Sequence, residues 1–63
     1  LMAVDALGDG APIYRVPDDT VEMFGRFLGD YVIGVYGDDW AIAMTWDGDV
    51  GYVRRADLWA GNG

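Results

Sequence analysis

The hydrophobic positions of this chain fall in short runs that glycine and aspartate interrupt at close intervals, leaving no room for a helix of normal length. Tyr31, Val32, Ile33, Gly34, Val35 and Tyr36 form the clearest run, β-branched and aromatic almost throughout, and predict a strand. Gly37-Asp38-Asp39 turns the chain, and residues 40–46 predict the next strand. Asp47-Gly48 is a hairpin signal between two β-rich runs, with residues 49–54 as the return strand. Upstream, residues 11–16 read as a shorter strand, with Pro12 near its start, where a missing N–H is tolerated. Arg55-Ala56-Asp57-Leu58 predicts a single 3₁₀ turn, and Trp59-Ala60 a short closing strand.

The remaining segments are less regular. Residues 1–7 alternate weakly, as a first strand or a lead-in, and Gly8-Asp9-Gly10 is a turn signal. Pro17-Asp18-Asp19-Thr20 is a polar turn that opens a longer loop. Val21-Glu22-Met23-Phe24 stands between a strand and one helical turn, and Gly25 and Gly29 disfavour a helix running through it. Short strands with frequent turns predict an all-β barrel or sandwich. No internal repeat, linker or low-complexity segment divides the chain.

Composition narrows the picture. The 63 residues make one domain, and a chain of this size buries only about 60% of the surface its unfolded form exposes. Cysteine is absent, which excludes disulfides and thiolate metal sites, and histidine is absent, which removes the commonest general base and metal ligand. The core must therefore come from large side chains: Tyr14, Phe24, Phe27, Tyr31, Tyr36, Trp40, Trp46, Tyr52 and Trp59. Eleven carboxylates face four arginines and no lysine, for a net charge of −7. That balance argues against nucleic acid and against an anionic membrane surface, since both need Lys and Arg to meet phosphate. It favours a cationic or neutral ligand, or serves solubility alone. No apolar run approaches the ~18 residues of a membrane span. No signal peptide is visible, and the Leu1-Met2 opening fits a piece of a longer parent chain.

Catalytic chemistry finds little to work with. Asp18-Asp19 and Asp38-Asp39 sit on polar turns, without the burial or partner that raises a carboxyl pKa for acid–base work. Asp38, Asp39, Asp47 and Asp49 follow no calcium-loop pattern and read as solvated turn residues. Neither Gly8-Asp9-Gly10 nor the Gly48/Gly51 pair leads from a strand into a helix, as a phosphate loop does. Serine is absent, and Thr20 and Thr45 have no base beside them in sequence. The expectation is a protein that is not an enzyme and carries no cofactor and no metal.

Gly29-Asp30, Asp39-Trp40, Asp47-Gly48-Asp49-Val50-Gly51-Tyr52-Val53 and Arg54-Arg55-Ala56-Asp57-Leu58 follow one another in the order and at about the spacing of the bacterial SH3 (SH3b) domains. Ile13-Tyr14-Arg15-Val16-Pro17 stands where that family has its first core strand and the start of its long loop. The chain thus resembles that family over residues 11–59, most of its length. The resemblance implies an SH3-like barrel of five to six short antiparallel strands with one 3₁₀ turn near the C-terminus. Residues 1–10 would be the lead-in strand and turn, 11–59 the barrel and 60–63 a tail. The strand from Trp40 is one residue longer than the family pattern. A β-bulge near residues 41–43 would absorb the excess, turning Met44 and Trp46 inward and Trp40 outward. Strict alternation would instead leave Trp40, Ile42, Met44 and Trp46 on one face. Arg54 stands where eukaryotic SH3 domains carry a proline, and the tyrosine that follows there is missing, which argues against polyproline binding.

The resemblance also implies a ligand-contacting tryptophan at Trp40, on a rim between two loops, with rim or core packing as the other reading. Asp18, Asp19 and Glu22 lie in the long loop that would face it, and a tryptophan beside carboxylates suits a lysine- or arginine-bearing peptide. Tyr14 and Tyr52 belong either to the same groove or to the core, and Trp46 and Trp59 to core or terminal packing. Such domains often accompany cell-wall hydrolases and amidases. The implied role is therefore a binding module for peptidoglycan peptide in an extracytoplasmic bacterial setting. The alternatives are a protein–protein interaction or regulatory spacer domain and, more remotely, an acidic mimic of nucleic acid.

Overall fold

The computed structural model describes residues 2–3, 5–6, 10–29 and 31–59, with side chains over 10–29 and 31–58. The frame of the molecule is an antiparallel meander of β5 (Tyr31–Tyr36), β6 (Trp40–Met44) and β7 (Val50–Arg54). Ahead of it come β1 (Met2–Ala3), β2 (Asp5–Ala6), β3 (Ala11–Ile13) and β4 (Gly25–Phe27). A 3₁₀ turn over Arg55–Asp57 and β8 (Leu58–Trp59) follow. The chain is all-β and antiparallel, with eight strands among the described residues instead of five to six. The surplus arises because the lead-in splits into two pieces: β1 extends the meander beside β5, and β2 pairs with β8. The turn signal at Gly8-Asp9 and the tail 60–63 lie outside the described residues, as does Asp30 of the Gly29-Asp30 pair.

Turn chemistry sets the hairpins. In the 45–49 turn, Gly48 takes φ +95°, and its N–H donates to the Thr45 carbonyl at 2.9 Å. The Thr45 N–H then donates to the Asp49 carbonyl at 2.8 Å. That is a three-residue loop closed by a left-handed glycine, which L side chains resist. β6 accordingly stops at Met44, two residues short of the expected end, and Trp46 belongs to the turn. The β5–β6 turn uses Gly37 at φ +64° in the same sense. The Arg55 N–H donates to the Asp39 carbonyl at 2.8 Å, tying the 3₁₀ turn to that loop.

The bulge expected in β6 is not there. Trp40, Ala41, Ile42, Ala43 and Met44 pair without a break against Arg54, Val53, Tyr52, Gly51 and Val50. Ala41 and Ala43 are buried, while Trp40, Ile42 and Met44 share the other face. The irregularity falls on the partner strand, where Val32 pairs with Ala43 and Gly34 with Ile42, so that Ile33 is the extra residue. Before the bulge Val32 points into the core. After it Gly34 and Tyr36 lie opposite Ile42 and Trp40, on the outer face.

β3 and β4 form a separate ribbon with Ala11 opposite Phe27 and Ile13 opposite Gly25. The long loop between them, residues 14–24, is neither strand nor helix over 21–24. The core lies between this ribbon and the meander: Ala11, Ile13, Phe27, Val32, Ala41, Ala43 and Val53, with Phe24 and Leu58 packed against it. Gly51 is where the two layers meet. A Cβ there would stand 2.6 Å from Ile13 Cγ1, 2.7 Å from Phe24 Cε2 and 2.7 Å from the Tyr14 carbonyl oxygen. Beside it, the Tyr14 N–H donates to the Tyr52 carbonyl at 2.9 Å, and the Tyr52 N–H returns the bond at 2.7 Å. Only a residue without a side chain lets β3 run this close across β7.

Candidate functional site

That backbone crossing assembles a row of aromatic side chains. The Tyr14 ring meets Trp40 edge-to-face, centroids 5.8 Å apart and planes at 85°. Tyr52, backbone-paired with Tyr14, meets Tyr36 in the same manner at 5.8 Å and 80°. Such pairs contribute about 0.5–1.5 kcal/mol each beyond simple burial. Tyr14, Trp40 and Tyr52 are half-buried and Tyr36 is exposed, so the row packs on itself and still presents ring surface to solvent.

The cation that was expected from a ligand is supplied by the chain. Arg54, directly opposite Trp40 in the ladder, lays its guanidinium 5.6 Å from the centre of the indole. The same group donates through Nη1 to Asp19 Oδ2, an ion pair across 35 residues of sequence. Its Nε is buried without a hydrogen-bond partner among the described residues. With side chains 39% and 44% exposed, the Arg54–Asp19 pair contributes only about 0.2–1 kcal/mol.

Of the six predicted binding residues, the fold gathers Tyr14, Trp40 and Tyr52 and brings Asp19 to them through Arg54. Asp18 and Glu22 are not gathered. Asp18 accepts from the Thr20 hydroxyl at 2.6 Å and the Thr20 N–H at 2.9 Å, an Asx turn, and these bonds, the hydroxyl's first, hold its carboxyl below the ordinary value. Glu22 is exposed on the loop and forms no ion pair among the described residues. Two members of the site carry no local sequence signal. Arg54 stands where eukaryotic SH3 domains have a proline, and its alternation with Tyr52 along β7 puts both on one strand face. Tyr36 flanks a three-residue turn that puts it opposite Trp40. Trp46, expected in core or terminal packing, is 85% exposed, because it sits in the turn beyond β6. The Trp59 side chain lies outside the described residues.

Among the described residues no three carboxylates converge as metal ligands. Comparison with protein-family models, curated proteins and solved structures yields no match.

Proposed function

We propose that this chain is a non-catalytic binding module, an SH3-like barrel of the bacterial type, whose aromatic row takes a peptide of the cell wall. The observation that carries the reading is the gathering of Trp40, Tyr14, Tyr52 and Tyr36 from three strands and a loop into two edge-to-face pairs joined by the Tyr14–Tyr52 backbone bridge, with ring surface left to solvent and the Arg54–Asp19 pair beside Trp40. Rings so arranged hold a ligand by face and edge contacts at little cost in side-chain entropy. The β3 crossing over β7 and the pairing of β2 with β8 support the barrel. A peptidoglycan stem peptide offers amine and carboxylate groups that can compete for Asp19 and Arg54. An extracytoplasmic site in a bacterial envelope, and a larger parent chain, go with this reading.

The second reading, a protein–protein module, draws on Val16, Val21 and Met23, which are exposed on the long loop beside Asp19. An NMR titration of the labelled domain separates the two, using solubilised peptidoglycan fragments and, separately, free stem peptides. Shifts centred on the Trp40 indole, Tyr14 and Tyr52, weakened by salt, are the expected result. Silence at millimolar ligand removes the cell-wall reading and leaves the protein partner.

A further inference from the structure

At the far end of β6 from Trp40, a groove of about 230 Å³ opens between the β3–β4 ribbon and the 45–49 turn. Its volume is below the ~300–1,000 Å³ of sites that enclose a small-molecule ligand, and suits one large side chain. Ile13 and Phe27 are fully buried beneath it, and Phe24 is half-buried in its wall. Leu28, 71% exposed, and Trp46, 85% exposed, stand at its rim. Asp47 and Asp49 line the same end as Trp46.

Charge decides what such a groove accepts. Arg26 also lines it, yet its Nη1 turns to the Gly10 carbonyl at 3.4 Å, and it pairs with neither carboxylate. Asp47 accepts from the Thr45 hydroxyl, and the Asp49 N–H donates to the same hydroxyl at 3.1 Å. Thr45 thereby fixes the turn that carries both carboxylates. An apolar slot, an exposed indole and two carboxylates that form no ion pair among the described residues complement a long side chain with an apolar stem and a positive head.

We infer that this groove is a second binding site, distinct from the aromatic row, which takes the lysine or arginine side chain of an incoming protein segment. The stem lies along Leu28 and the side of Phe24 away from Arg15, whose guanidinium covers the other side of that ring at 4.1 Å, and the head meets the Trp46 face and the carboxylates of Asp47 and Asp49. Among the described residues no cation stacks on Trp46, whereas the Arg54 guanidinium lies 5.6 Å from the centre of the Trp40 ring.

The test is an NMR titration of the whole chain with a capped Ala-Lys-Ala peptide, its arginine counterpart, and a norleucine counterpart that keeps the stem without the charge. The tryptophan indole N–H signals report the two ends of β6 separately. The expected result is a shift of the Trp46 indole and the Leu28 and Asp49 amides with both cationic peptides. It should be at least about tenfold weaker for norleucine, and strongly reduced in about 1 M salt, where the Debye length falls to about 3 Å. Trp46→Ala should abolish the response and Asp47→Asn with Asp49→Asn weaken it about tenfold, both with unchanged folding because these residues are exposed. Equal shifts with norleucine, shifts confined to Trp40 and Tyr14, or no shift at tens of millimolar peptide would overturn the inference. Because Trp40 is read in the same spectra, this outcome is independent of the cell-wall reading.

Discussion

Trp40 opens β6 and Trp46 stands two residues past its end, and each has carboxylates and an arginine within its surroundings. At the Trp40 end the side chains engage one another: the indole meets Tyr14 and Arg54, and Arg54 meets Asp19. At the Trp46 end the indole is exposed, and Arg26 is turned away from Asp47 and Asp49. The residue types are the same; the strand register differs. Trp40 lies in a ladder, where a residue directly opposite is held within side-chain reach. Trp46 lies in a three-residue loop, beyond the last pair of the ladder. A ligand at the first end must displace or join an existing ion pair, while one at the second end meets carboxylates that form none among the described residues.

The largest test strikes the crossing that both ends share. Gly51→Ala drives a Cβ into a backbone carbonyl as well as two side chains, so relaxation must move β3 itself. The expected loss is about 3 kcal/mol, the upper part of the range for overpacking. A domain of this length holds roughly 3–9 kcal/mol in all. Gly48→Ala is the control: φ is +95° but nothing lies within 4 Å, so only backbone strain of about 1–2 kcal/mol is expected. Denaturant midpoints measure both, and equal losses would show that the layers are not held at this point.

Next comes the pair of tryptophans. Trp40→Ala removes an edge-to-face contact and a cation–π contact and is expected to cost about 2 kcal/mol. Trp46→Ala removes an exposed side chain and should change stability by no more than about 0.5 kcal/mol. The reverse order in thermal or chemical unfolding would put Trp46 in the core and dissolve the comparison.

A bulge in β6, which would turn Trp46 inward and Trp40 outward, corresponds to that reversal, and its absence has a physical reason. Hairpin turns and the 3₁₀ turn were legible because their chemistry is local: Gly48 and Gly37 carry their own conformational preference. A surplus residue between two paired strands is not local. It places two residues against one, and lengths alone do not say which strand carries the extra. Here Ile33 carries it, leaving β6 regular and Trp46 outside the sheet. Three aromatics of the row and one acid of the loop were legible as a cluster. The intramolecular cation was not, because Arg54 meets Asp19 only after β7 and the long loop have been brought together in three dimensions.

A smaller effect measures how firmly the Trp40 end is occupied. A double-mutant cycle of Arg54→Gln and Asp19→Asn should return a coupling of about 0.2–1 kcal/mol, falling as salt is added. Zero coupling at low salt would leave Asp19 as open to a ligand as Asp49, and the two ends would differ in their aromatic packing alone.

The smallest effect concerns Asp18, which neighbours Asp19 in sequence and does a different job. The Thr20 hydroxyl, and after it the Thr20 N–H, favour the charged carboxylate and lower its pKa in the folded state. A lowered folded value means that the unfolded chain, with its ordinary value near 3.9, binds the proton more readily. The stabilisation is therefore present above about pH 4 and is lost as pH falls through the lowered folded value. Thr20→Val removes the hydroxyl bond and keeps the amide bond. The Asp18 carboxyl should then titrate higher than in the parent, though still below the ordinary value, when followed by carbon NMR. Because the same Asx turn sets the path of the chain into Asp19, the variant should also trim the Arg54–Asp19 coupling. An unmoved Asp18 titration would mean that the hydroxyl bond does not form in solution and that the loop reaches Arg54 without it.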